Sequence, residues 1–270
     1  MSTPPPVGSA AAEPSAESVL AEIRRLPVSA PFRWLARGAD DMRLTGFRGC
    51  LYGLFFMLMG LAIHSVYATH WQLTMALTAG FFLMGPFLCA GLYELSRQRE
   101  QGRPVDLAAS LTCWRSNAGA FGLFAVLLTL LLIFWARTSV VVFALFFTAD
   151  LPTLNDAVTQ ILTSANYELI ATWLIVGLAF AALAFAISVV SAPMILDRKA
   201  DAIAAMFNSM RALYDNTATL IVWAALIVLL IGASLVLAYL PLVFTAPLVG
   251  HATWHAYRDL VGPQQKRSSQ

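Results

Sequence analysis

His251 and His255 are four residues apart near the C-terminal end of the chain. On a helix that is one turn, so both imidazoles project from nearly the same face. Such a pair can share a metal ion or serve a cofactor held between helices, but a metal centre needs further ligands. Cys50, Cys89 and Cys113 contain no CxxC pair, and no carboxylate pattern completes a set. The reading that ordinary membrane-helix chemistry favours is interhelical hydrogen bonding, to Ser188, Asn117 or a backbone carbonyl freed by a proline. His64 and His70, six apart, have no helical register for one metal. The sequence therefore calls for no metal and no cofactor.

Three carboxylates stand out by position. Glu94, Asp197 and Asp259 each close an apolar run, with Arg97, Arg198 and Arg258 close by in sequence. A helix C-terminus repels anions unless cations are near, so paired helix ends at the headgroup level are the main reading and a proton or ion relay the functional one. Pro86, Pro193 and Pro247 fall in the inner halves of apolar runs, where each would free a backbone carbonyl. There is no GxxxxGK, HExxH, GxSxG or GxGxxG, so no common soluble chemistry is encoded and no catalytic residue is expected.

The elements that must position these residues follow from composition. Of 270 residues 59% are hydrophobic and 12% charged, against about 25% charged in soluble domains. A mean hydropathy of +0.71 excludes an ordinary water-soluble enzyme and fits a polytopic membrane protein. Runs long enough to span a bilayer, about 20 residues, occur near residues 47–67, 73–95, 118–136, 168–196, 217–239 and 241–259. The expected fold is all-α with six transmembrane helices in a domain of residues 30–260. Residues 1–29, rich in Pro, Ser and Ala at their start, read as a disordered or weakly helical tail and 261–270 as a second tail.

Charge tests the count independently. Sixteen of the seventeen Lys and Arg residues fall on one side of a six-span arrangement; Arg137 is the exception. The positive-inside rule then places both termini in the cytoplasm. Residues 138–148, after Arg137, are too short to cross and read as interfacial or re-entrant. His70 with Trp71, and Trp135, suit anchoring at the outer interface.

Three cytoplasmic-side stretches have helical periodicity but are too polar to span: 32–43, with Phe32, Leu35, Ala39 and Met42; 105–116, with Leu107, Leu111 and Trp114; and 199–215, with Ile203, Met206, Phe207, Met210, Leu213 and Tyr214. They read as amphipathic helices lying in the interface plane. Each precedes a span, an outer connection and a second, proline-bearing span. The chain thus divides into three units, 30–97, 104–197 and 199–260, the second enlarged by an insertion at 138–165. Gly49 and Gly53 permit a close helix approach in the first span.

The phrases PFRWLARGADDMR, GLFFMLMGL, GFFLMGPFLCAGLYELSR, FAISVVSAPMILDR and PLVGHATWHAYRDLV resemble the recurrent segments of the bacterial family called domain of unknown function 2189, predicted integral membrane proteins. The resemblance spans residues 31–261 and implies a multi-pass protein without an assigned activity. A cytochrome oxidase subunit I label used for some members needs six ligating histidines, and this chain has four His in all. The expected role is a non-catalytic accessory, assembly or membrane-organising protein. Its partners would be the lipid bilayer and membrane proteins, among them respiratory complexes, and not nucleic acid. The oligomeric state is left open. A small-solute or ion carrier with a path near His251 is the alternative, and a haem- or copper-associated subunit a weaker one.

Overall fold

The computed structural model of the chain describes residues 21–69, 71–146 and 167–262. The first twenty residues, His70, the segment 147–166 and the end from 263 lie outside the described residues, and with them part of each expected tail and of the expected insertion. Among the described residues the protein is all-α, with helices α1 (Ala30–Thr45), α2 (Phe47–Thr69), α3 (Trp71–Glu100), α4 (Leu107–Thr112), α5 (Ala118–Phe146), α6 (Tyr167–Ser188), α7 (Ser191–Arg198), α8 (Ala202–Asp215), α9 (Thr217–Val236) and α10 (Leu242–Leu260).

Among the described residues five stretches are long and apolar enough to cross a membrane: Phe47–Val66, Leu77–Glu100, Leu107–Phe146, Tyr167–Arg198 and Thr217–Val236. Their outward side chains are apolar, as at Leu178 and Val228, which is the surface a lipid solvent requires. The sixth expected span corresponds to α10, which lies outside that set because His251, His255, Arg258 and Asp259 occupy its second half. Nineteen residues of helix still extend roughly 28 Å. The helix runs antiparallel to α2: Tyr239, before its start, stacks near His64 at 5.8 Å, and His251 reaches Thr45, just before α2 begins.

Three expectations are corrected. Of residues 138–148, those up to Phe146 are not a separate interfacial or re-entrant piece, because α5 runs unbroken from Ala118 to Phe146 with Arg137 exposed within it, and the last two lie outside the described residues. The expected span at 168–196 is two helices: the chain turns at Val189–Val190 and restarts as α7, so Pro193 sits in the first turn of a new helix, where it interrupts no ladder. Pro86 and Pro247 do lie inside helices, α3 and α10. Residues 21–29 are not a loose tail. They form an extended strap whose Ile23 pairs antiparallel with Val261, whose Ala21 and Leu26 amides donate to the Asn208 and Asn216 side chains at 2.8 and 2.7 Å, and whose Leu26 carbonyl accepts from Thr219 at 3.0 Å.

The polar surface helices are present, and the two longer ones also carry a buried stripe that the apolar periodicity did not single out. In α1 the buried stripe is Trp34, Gly38, Asp41 and Thr45, while Phe32 is exposed. In α8, capped by Asp201, the buried stripe is Ala202, Ala205, Asn208, Ser209 and Ala212, and Ile203, Phe207 and Tyr214 point outward. Small and hydrogen-bonding residues let backbones come close, which is how helices associate where the surrounding solvent is as apolar as leucine. Residues 105–116, read as one helix, are the six-residue α4, capped by Asp106, followed by a 3-10 turn at Cys113–Asn117.

α10 is the centre of the packing, flanked by α1, α2 and α3. The Gly49 and Gly53 signal is realised here: a Cβ at Gly53 would lie 2.1 Å from the Val243 carbonyl oxygen, and one at Gly49 3.3 Å from the His251 ring. On the other flank Trp34 meets Trp223 of α9 edge to face, with centroids 5.7 Å apart.

Candidate functional site

The polar residues of α1, α3 and α10 converge at one end of the bundle, each helix contributing side chains one turn apart. α1 gives Asp41 and Thr45, α3 gives Ser96 and Arg99, and α10 gives His251 and His255. Asp41 is 6% exposed. Its Oδ2 accepts from Ser96 Oγ at 2.5 Å and from His255 Nε2 at 3.0 Å, and its Oδ1 pairs with the Arg99 guanidinium. Burial pushes the Asp41 carboxyl up, but the hydrogen bonds from His255 and Ser96 and the nearby His255 and His251 rings outweigh it, and the group is held below its ordinary 3.8.

His251 has no exposed surface. Its Nδ1 lies 2.8 Å from Ser96 Oγ and its Nε2 3.4 Å from Thr45 Oγ1. Since the Ser96 proton goes to Asp41, the Ser96 oxygen is left to accept from Nδ1–H. That polarity is the reverse of a nucleophilic serine, whose proton must be taken by the imidazole. The arrangement can hold a proton and fix three helices; it does not activate a hydroxyl.

The histidines thus bond to Ser96, Thr45 and Asp41 and not to the expected partners. Asn117 instead donates to the Ile195 and Ala200 carbonyls, at 3.3 and 2.9 Å, tying the start of α5 to α7 and the turn after it. The three carboxylates are paired as expected in kind, though only Glu94 with its expected neighbour. Glu94, 3% exposed, meets Arg97 at 2.6 Å and Arg103 at 3.2 Å. Asp197 accepts from Tyr257 Oη at 2.8 Å and faces Arg258 at 3.5 Å, whereas Arg198 donates to Tyr257 Oη at 3.0 Å. Asp259 accepts from Trp34 Nε1 at 2.9 Å and pairs with Arg37. Glu100 joins the layer by accepting from Trp254 Nε1 at 3.0 Å and Arg258 Nε at 2.9 Å.

Asp41, Ser96 and Thr45 were not singled out in the sequence. The available signal was the stripe of Ala30, Trp34, Gly38, Asp41 and Thr45 on one face of α1, in which two small residues mark the packed side. Among the described residues no group of three His, Cys, Asp or Glu side chains has a geometry that could hold a metal ion.

Residues 73–197, from α3 through α7, match the model of the family described as predicted integral membrane protein (DUF2189). This agrees with the resemblance read from the phrases of the sequence. Ser96 and Arg99 fall inside the matched segment, and Asp41 and the histidines outside it. No curated protein and no solved structure matches the chain.

Proposed function

We propose that the protein is a non-catalytic accessory, assembly or membrane-organising protein of the bacterial inner membrane, with six spans and both ends in the cytoplasm. The observation that carries this reading is the closure of the His251 site. A carrier using His251 needs a water-filled path to it, and this imidazole has no exposed surface and is held by Ser96 on one side and Thr45 on the other. The network acts as a clasp at the cytoplasmic ends of α1, α3 and α10. Membrane orientation rests on the basic residues, sixteen of seventeen of which fall on one side of the six spans. The outward apolar residues of α1 and α8, Phe32, Ile203 and Phe207, suit two helices lying in the headgroup plane.

The test is mass spectrometry of what co-purifies with the chromosomally tagged, full-length protein in mild detergent. Stoichiometric membrane proteins, lost on washing with harsher detergent, are the expected result. A partner-free preparation together with solute uptake in reconstituted vesicles that His251→Ala abolishes would replace this reading with the carrier.

A further inference from the structure

A partly open cavity of about 330 Å³ lies within the bundle. Its walls come from Phe56 of α2, Phe81, Gly85 and Pro86 of α3, Leu128 of α5 and Ile227 of α9, and no charged side chain lines it. That volume is at the lower end of the range for ligand sites, about 300–1,000 Å³. The space is continuous at Gly85, where an added Cβ would meet nothing within 4 Å.

We propose that this cavity takes one hydrocarbon chain of a bilayer lipid. The four helices that form most of its wall are among those apolar enough to span a membrane, so its surroundings are acyl chains. Water would be a poor occupant because it needs two to four polar partners. Two polar groups of the wall are committed, the Thr253 hydroxyl to the Val249 carbonyl at 2.7 Å and the Tyr93 hydroxyl to the Cys89 thiol; the Trp223 indole N–H, which has no hydrogen-bond partner among the described residues, and the Ser188 hydroxyl are too few to hold water throughout a space whose other lining side chains are apolar. A headgroup finds no countercharge in the wall, whereas a methylene chain gains dispersion contacts with the rings of Phe56 and Phe81 and costs no desolvation on leaving the bilayer. The pyrrolidine of Pro86 adjoins Gly85, and together they keep α3 thin where the chain would enter.

The full chain in nanodiscs of phosphatidylcholine, doped with a phosphatidylcholine carrying a diazirine in its acyl chain, gives a direct readout. After photolysis, adducts are mapped by peptide mass spectrometry. The expected result is labelling of cavity residues such as Cys89 and Leu128, in addition to the outward residues Leu178 and Val228. Gly85→Phe and Ile227→Trp, which fill the space from opposite walls, each reduce the inward adducts to background while outward adducts persist and report an intact fold. Wild-type protein labelled only at outward residues, or inward labelling that both variants leave unchanged, overturns the proposal.

Discussion

At the scale of single residues, Asp41 ties the network together, since Ser96, His255 and Arg99 all converge on its carboxylate. Asp41→Ala leaves the Arg99 guanidinium, itself mostly buried, without its carboxylate. The penalty for removing one partner of a buried ion pair is about 3–5 kcal/mol, and some exposure of Arg99 puts the expected loss at the lower end. It is read as a fall in the denaturation midpoint in detergent, and an unchanged midpoint would refute the clasp. The pH dependence has a definite sign. A carboxyl held below 3.8 in the fold contributes stability that is complete above that value and is lost as pH falls through the lower, folded value. Asp41→Asn should therefore be less stable than the wild type at neutral pH, with the difference shrinking in acid. Parallel pH profiles for the two proteins would contradict this. The sequence pointed to His251 and His255 through their one-turn spacing. It hid Asp41, because an aspartate beside another aspartate in a surface helix reads as solvated until the helix's packed face is known.

Among the elements, the long apolar helices were legible, since hydropathy and length answer directly to the bilayer. What failed was the continuity of α5 and α6. The apolar periodicity found the outward side of these helices, α1 and α8, but a helix at a membrane surface has two apolar neighbours, and the side packed on the bundle went unseen. Phe32, Ile203, Phe207 and Tyr214 of α1 and α8 go outward, and apart from Trp34 the packed stripes are small or polar, because close packing needs small residues and the outside can accept large ones. The glycine signal was read correctly for the same reason, and it sets up a contrast. Gly53→Ala forces its Cβ to 2.1 Å from the Val243 carbonyl oxygen, so α2 and α10 must move apart. Gly80→Ala meets nothing within 4 Å and should be neutral or stabilising by up to about 1 kcal/mol. Thermal unfolding of the two variants in the same detergent checks the pair, and equal effects would mean the α2–α10 contact is looser than described.

For the whole molecule, the crossing of α10 can be settled without a probe on α10 itself. The strap pairs Ile23 with Val261, so the residues on either side of α1 and α10 share one end of the bundle. Five spans separate Val28 from Leu240, both exposed. In a cysteine-free background, Leu240→Cys is expected to react with a membrane-impermeant maleimide in spheroplasts, and Val28→Cys only in inverted vesicles. Labelling of both from one side would remove α10 from the set of spans. The division into three units drew support from the proline-bearing second span of each, yet the units are built differently: the first begins with a sixteen-residue helix and the second with a six-residue one. The strap itself was invisible in the sequence, since Ala21 to Leu26 are held by side chains about 190 positions away. That separation has a consequence for biosynthesis. The strap leaves the ribosome well before its docking surface, Asn208 to Gly262, has been made. The spans from α2 to α6 must therefore enter the bilayer with the strap still free, and the bundle closes only when α10 has been released, which makes synthesis of α10 a condition for sealing its polar end.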